Sequence, residues 1–285
     1  MGQRVVKNVA GSGAKWVDVS ADRFPGWIAS FAVRHGVPAP AGQGEAPENS
    51  LMVTPEQQFV IFTAPDGAVA ECHPPFPEAL AWPAHGTVGD GATAGDGAGP
   101  EAGGPRAGEI AGAIARHAAE PRAVGVLLAR LGGYAAGVFT GYPPALADSK
   151  TGSRLVHGRS AAGGWSQHRF ARRREKQANE ALDAAADAAV LVFGRWESGT
   201  AATGGTAGKG AAAGKRAPAG RRRRLDAVVL GGDKRAVAEL RDDPRLAPYL
   251  AIATQRFLTV PDPKRAVLEA APRLFLAVKI RLTEP

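Results

Sequence analysis

The chain has 285 residues, 45% of them hydrophobic, a formal net charge of +8 and a single cysteine, Cys72. That length supports one large domain or two small ones with a sizeable core. The lone cysteine excludes an intrachain disulfide and a cysteine-built zinc site, and it fits a reducing, cytoplasmic compartment. No apolar run approaches the roughly 18 residues of a membrane span, and Met1 to Lys15 lacks the apolar stretch of a signal peptide.

In chain order, residues 1–15 are small and polar and are expected to be mobile. Trp16 to Val19 alternates as a short strand, and Ser20 offers an N-cap. Phe24, Trp27, Ile28 and Phe31 fall at i, i+3, i+4 and i+7, the buried face of a helix. Pro25 suits its first turn and Gly36 its end. The same spacing makes Trp27 and Phe31 core residues rather than a base-stacking platform. Strands are predicted over Leu51–Thr54 and Gln58–Thr63. The turn Pro65-Asp66-Gly67 then returns the chain as a strand over Ala68–Cys72. These elements form a small α+β module within residues 1–83.

Residues 84–106 are mostly Gly, Ala, Pro and Asp and read as a flexible linker. Gly89-x-Gly91-x-x-Ala94 inside it has neither a strand before it nor a helix after it, so it is no dinucleotide fingerprint. Glu109 to Glu120 predicts a short helix with Ile110 and Ile114 on one face. Ala123–Leu131 and Tyr134–Thr140 predict a hairpin turned at Gly132-Gly133. Ser153 to Arg159 reads as a third strand and His168 to Phe193 as a long helix. Residues 194–220 are a second low-complexity insert. Gly208-Lys209 within it lacks the rest of a phosphate loop. Strands at Leu225–Gly232 and Arg256–Val260 alternate with helices at Lys234–Arg241 and Lys264–Glu269. An alternating last strand runs from Leu276 to Leu282. The order predicts an α/β domain over residues 107–285, a mixed β-sheet flanked by helices.

The basicity is local. Residues 151–176 hold seven Lys and Arg against one acid, and residues 209–224 hold seven and no acid, so the rest of the chain is net acidic. Such clustering points to a polyanion-facing side. The first cluster follows a Gly-rich approach, His157-Gly158-Arg159-Ser-Ala-Ala-Gly163-Gly164-Trp165-Ser166-Gln167. Gly163 and Gly164 free the backbone to take positive φ. Arg169, Arg172, Arg173 and Lys176 share one helix face, with Arg174 beside them. These cations suit phosphate contacts. Trp165 either stacks on a base or covers the loop. Arg221 to Arg224 are either a second RNA contact or a solvated flank to the next strand.

Other chemistries find no footing. The six histidines show no metal spacing, no Gly-x-Ser-x-Gly elbow exists, and Asp242-Asp243 beside Pro244 read as a solvated turn. No cofactor is expected. Glutamine is no proton acceptor near neutral pH, but its amide and backbone N–H can orient a nucleophile and meet a developing oxyanion.

The stretch resembles the catalytic loop of eukaryotic and archaeal class-1 release factors. His157-Gly158-Arg159, the glycine pair, Gln167 and Arg169-Phe170-Ala171-Arg172 carry that likeness. It is still more similar to the Vms-like release factors (VLRF) of actinobacteria, through Gly152-Ser153-Arg154, Ala162-Gly163-Gly164-Trp165-Ser166-Gln167 and Arg169-Phe170-Ala171-Arg172-Arg173-Arg174. Against the class-1 factors, Trp165-Ser166 is inserted between the glycines and the glutamine. The resemblance implies a peptidyl-tRNA hydrolase acting on the large ribosomal subunit. In it, Gln167 with Gly163 and Gly164 serves the ester bond. Arg159, Trp165, Arg169, Arg172, Arg173, Arg174 and Lys176 contact rRNA or tRNA. A monomer is expected. Two other activities fit the same likeness: a nuclease cutting tRNA near its CCA end, and a non-catalytic ribosome-binding factor.

Overall fold

Two sheets organise the chain, and the strand nearest its C-terminus joins the first of them. A computed structural model describes residues 5–6, 14–36, 51–80, 106–130, 132–153, 166–200 and 223–285, with the backbone alone for 5–6 and 166–178. The chain divides into two compact units, residues 1–119 with 276–285, and residues 120–275.

The first unit contains β1 (Val5–Val6), β2 (Lys15–Ser20), α1 (Phe24–His35), β3 (Met52–Pro55), β4 (Val60–Thr63), β5 (Val69–His73), α2 (Ala107–Ala118) and β11 (Ala277–Thr283). Its antiparallel sheet runs β1-β2-β11-β5-β4-β3. Alternation along each strand decides which face is buried. Val19, Val60, Phe62, Cys72, Val278 and Ile280 point to one side, where α1 and α2 cover them with Phe24, Ile28, Phe31, Ile110 and Ile114. Phe24 meets Phe62 edge-on at 6.3 Å.

Several expectations are corrected in this unit. The strand read at 276–282 pairs with β2 and β5 and so completes this sheet, not that of the second unit. The helix read at 109–120 belongs to this core as well. Local periodicity cannot reveal either fact, because partner choice is set by tertiary burial. Val5–Val6, inside the stretch expected to be mobile, pairs with Val17 and Trp16. Ser20 makes no side-chain cap; a 3-10 turn over Ala21–Arg23 intervenes and α1 starts at Phe24. Residues 84–105 of the predicted linker, 84–106, lie outside the described residues.

The second unit holds β6 (Arg122–Arg130), β7 (Gly133–Gly141), β8 (Ala145–Ser153), α3 (Ser166–Glu197), β9 (Ala227–Gly232), α4 (Lys234–Leu240), α5 (Ala247–Leu250), β10 (Ala253–Leu258), α6 (Arg265–Glu269) and α7 (Pro272–Phe275). Its sheet runs β10-β9-β6-β7-β8, parallel from β10 to β6 and antiparallel from β6 to β8. β6 is nearly all apolar because both of its faces are covered. Leu127, Ala129, Ala136, Val138, Val228 and Leu230 face α3 and α4. On the other side Phe139 meets Phe275 of α7 at 5.9 Å.

The third strand of this sheet is Ala145–Ser153, earlier than the Ser153–Arg159 expected, and residues 154–165 lie outside the described set. β8 is an edge strand of Ala, Leu, Asp, Ser, Lys, Thr and Gly, with Thr151 its one β-branched residue, so it leaves little strand signal. The long helix is α3, longer at both ends than the predicted 168–193. It uses up residues 194–197 of the predicted insert, and residues 201–222 lie outside the described set.

Candidate catalytic helix

Every sequence-predicted site residue falls on the connection from β8 to α3 or on the first half of α3. Arg159, Gly163, Gly164 and Trp165 lie outside the described residues. Gln167 is the second residue of α3. Ser166 is therefore helical, and the two-residue spacer of the sequence reading contributes one residue to the helix. Arg169, Arg172, Arg173, Arg174 and Lys176 follow on the same helical backbone.

The far half of α3 fixes the near half. Ala181, Ala185, Ala188, Ala189, Val192 and Phe193 are buried against the sheet. Small alanines let the helix axis approach the strands closely. A Cβ on Gly125 of β6 would come within 3.1 Å of the Phe193 ring, so glycine there makes room for it. Burying Phe193 fully is worth about 1.5–3 kcal/mol. At 3.6 residues per turn, positions 169, 172 and 176 lie on the opposite side of the helix from Ala181, Ala185, Ala188 and Val192, and position 173 lies a quarter-turn from that stripe. Position 174 lies on the same side as that buried stripe. With a rise of about 1.5 Å per residue, Gln167 stands about 21 Å upstream of Ala181.

Ion pairs and rings hold the C-terminal half of the helix. Arg195 donates to Asp148 of β8 through Nε at 2.9 Å and Nη2 at 2.8 Å. A β-bulge at Val138/Phe139 sets Asp148 opposite Val138, on the α3 side of the sheet. Arg245 donates to Asp187 at 2.6 Å and to Asp243 at 2.7 Å. Its hydrogen bonds hold the Asp243 carboxyl below the usual carboxylate range, and both acids raise the affinity of the guanidinium for its proton. Phe193 meets Tyr249 edge-on at 5.0 Å. Burial, and then Glu197, push the Tyr249 phenol up. The Arg223 guanidinium sits 4.6 Å over the Trp196 ring, and the Arg223 N–H donates to the Glu197 carbonyl at 3.2 Å.

Sequence reading missed this anchorage. Asp148 and Arg195 lie 47 residues apart, and nothing in either neighbourhood announces the other. Arg223, one of the four consecutive arginines, packs on Trp196. Among the described residues no group of His, Cys, Asp and Glu could hold a metal ion, and no helix is long and apolar enough to cross a membrane.

Residues 122–281, more than half of the chain, match the family model described as Actinobacteria/chloroflexi VLRF1 release factor. The match runs from the first strand of the second unit into β11. No curated protein matches the chain.

Proposed function

The chain belongs to the Actinobacteria/chloroflexi VLRF1 release factor family, which gives it a release-factor-like role in translation, and on that premise we propose that it is a peptidyl-tRNA hydrolase. It frees nascent peptide from tRNA held on stalled large ribosomal subunits. One observation carries this reading: Gln167 opens a 32-residue helix whose opposite half is locked to the sheet by a buried stripe and by the Asp148–Arg195 pair. In a helix of that length, about 48 Å, Gln167 lies in the first turn, far from the buried stripe that anchors it.

The chemistry follows from what glutamine can do. Its side chain donates and accepts but does not take a proton at neutral pH, so it orients water toward the ester carbonyl. The first four N–H groups of a helix have no intrahelical partner, and Gln167 lies among them. They, and the positive end of the helix dipole, favour the oxyanion formed as water attacks. Arg169, Arg172, Arg173 and Lys176 bind phosphates of rRNA or the tRNA acceptor end, and Arg159, Arg174 and Trp165 add to that contact. Gly163 and Gly164 let the approach lie close to RNA.

The test is single-turnover release from large subunits carrying labelled peptidyl-tRNA. Gln167→Ala is expected to slow release at least about 100-fold while ribosome binding persists. Release at the parent rate would sink the proposal. The tRNA 3′ end is sequenced in the same reaction. An intact CCA supports ester hydrolysis, and a missing CCA replaces it with nuclease action.

A further inference from the structure

The six-stranded sheet of the first unit has one face beneath α1 and α2, and a second face of different composition. Register shows what this second face carries. Lys279 and Arg281 stand on the central strand β11. Arg281 lies opposite Trp16 of β2 on one side and Glu71 of β5 on the other, and Lys279 lies opposite His73. Phe59, just before β4, closes the row. The three rings form a chain: Trp16 to His73 at 5.6 Å, and His73 to Phe59 at 5.2 Å. Lys279 Nζ hangs 5.9 Å from the Trp16 ring centre. All three rings are half-buried, so each keeps part of its surface in solvent.

This composition is unlike an ordinary solvated sheet face, which needs neither tryptophan nor phenylalanine. Two acids stand beside the two cations. Glu71 is already engaged, with Oε1 on His73 Nε2 at 2.8 Å and Oε2 on Arg281 at 3.4 Å. Asp18, opposite Lys279, is the other acid of the row. Half-exposed aromatic rings interleaved with cations on one face of an antiparallel sheet are the chemistry that stacks unpaired bases and holds the phosphates between them. We propose that the Trp16–His73–Phe59 row, with Lys279 and Arg281, is a single-stranded RNA platform, distinct from the contact made by α3. Aromatics on such a sheet face stack two or three bases. The choice of RNA over other partners rests on the ribosomal reading above. The platform residues differ from the Trp27 and Phe31 weighed from sequence: Phe31 is buried beneath the sheet, and Trp27 stacks on it at 5.5 Å.

The test uses the full chain and a fluorescein-labelled uridine 12-mer in about 0.3 M salt, where phosphate contacts elsewhere are weakened and stacking persists. Trp16→Ala is expected to weaken binding at least about fivefold, and Trp16→Phe less than about twofold. The double change Lys279→Ala with Arg281→Ala should flatten the slope of log Kd against log salt by about 0.7 per lost phosphate contact. Unaltered affinity of a folded Trp16→Ala chain overturns the proposal. Crosslinking the unmodified chain to 4-thiouridine RNA needs no variant. Adducts at positions 16, 59 or 73 support the platform, and adducts confined to 154–224 overturn it. If Trp16→Ala loses ribosome binding but keeps its affinity for oligouridine, the face takes a protein and the RNA assignment fails. Gln167→Ala should leave oligouridine binding unchanged, so failure of the release reading and failure of the platform appear in different assays.

Discussion

Arg195 of α3 grips Asp148 of β8 through two hydrogen bonds, and the acid is 3% exposed where the base is 30% exposed. The pair is therefore lopsided. Arg195→Ala leaves a buried carboxylate that keeps the Ser149 N–H donating to it but loses its cation, a loss of about 3–5 kcal/mol. Asp148→Ala leaves an arginine that can still reach water, about 1–3 kcal/mol. Urea unfolding of the two variants should rank them in that order, and the reverse order would show that the pair is not held as described.

Gly232 and Gly67 both carry positive φ, +106° and +93°. They differ in surroundings. A Cβ at Gly232 collides with the Ala129 backbone, whereas one at Gly67 meets nothing within 4 Å. Gly232→Ala should cost about 3 kcal/mol or more, from strain and overpacking together. Gly67→Ala should cost about 1 kcal/mol, from strain alone. Thermal melts of the pair check the difference.

Cys72 is fully buried in the first core, and burial, followed by the nearby Glu71, pushes its thiol well up. Thiolate is the reactive form, so the native chain should resist a disulfide reagent near pH 8 and react at once in denaturant. Fast native labelling would mean that β5 and β11 open readily.

Two acids tie stability to pH. Asp66 accepts the Ala68 N–H at 2.9 Å and pairs with His35 at 2.8 Å, and these bonds hold its carboxyl low, the Ala68 bond most. Asp243 is held low by Arg245. A depressed acid contributes stability above its unfolded pKa, near 3.8 in both cases, and loses it as pH falls through the lower folded value. Asp66→Asn and Asp243→Asn should each lessen the loss of stability below about pH 4. Identical acid-unfolding curves for parent and variants would remove these residues from the account.

Legibility from sequence followed burial. Phe24, Trp27, Ile28 and Phe31 announce α1 because a half-buried helix must repeat at its own period. The apolar strands β6, β7 and β9 announce themselves by composition. β8 does not, because it is an edge strand whose one buried polar group, Asp148, is satisfied by an arginine far along the chain. The membership of β11 was hidden for a related reason: alternation says that a strand has two faces, and nothing about which neighbours it joins. At the candidate site, Gln167 and its cations were readable as a motif. The anchorage of the helix was not, since Arg245, Tyr249 and Asp148 act only through tertiary contact.

β11 fills the gap between β2 and β5, and it is synthesised only after the whole of the second unit. The second unit has all of its described strands by residue 258 and its last helix, α7, by Phe275, just before β11 begins. Translation from β5 to β11 takes about 10–40 s at about 5–20 residues per second. Throughout that interval β2 and β5 are unpaired edges with apolar faces, the kind of surface that invites aggregation. The sheet begun first thus waits for a strand that follows the entire second unit, and until that strand arrives the nascent first unit is the part most in need of a chaperone.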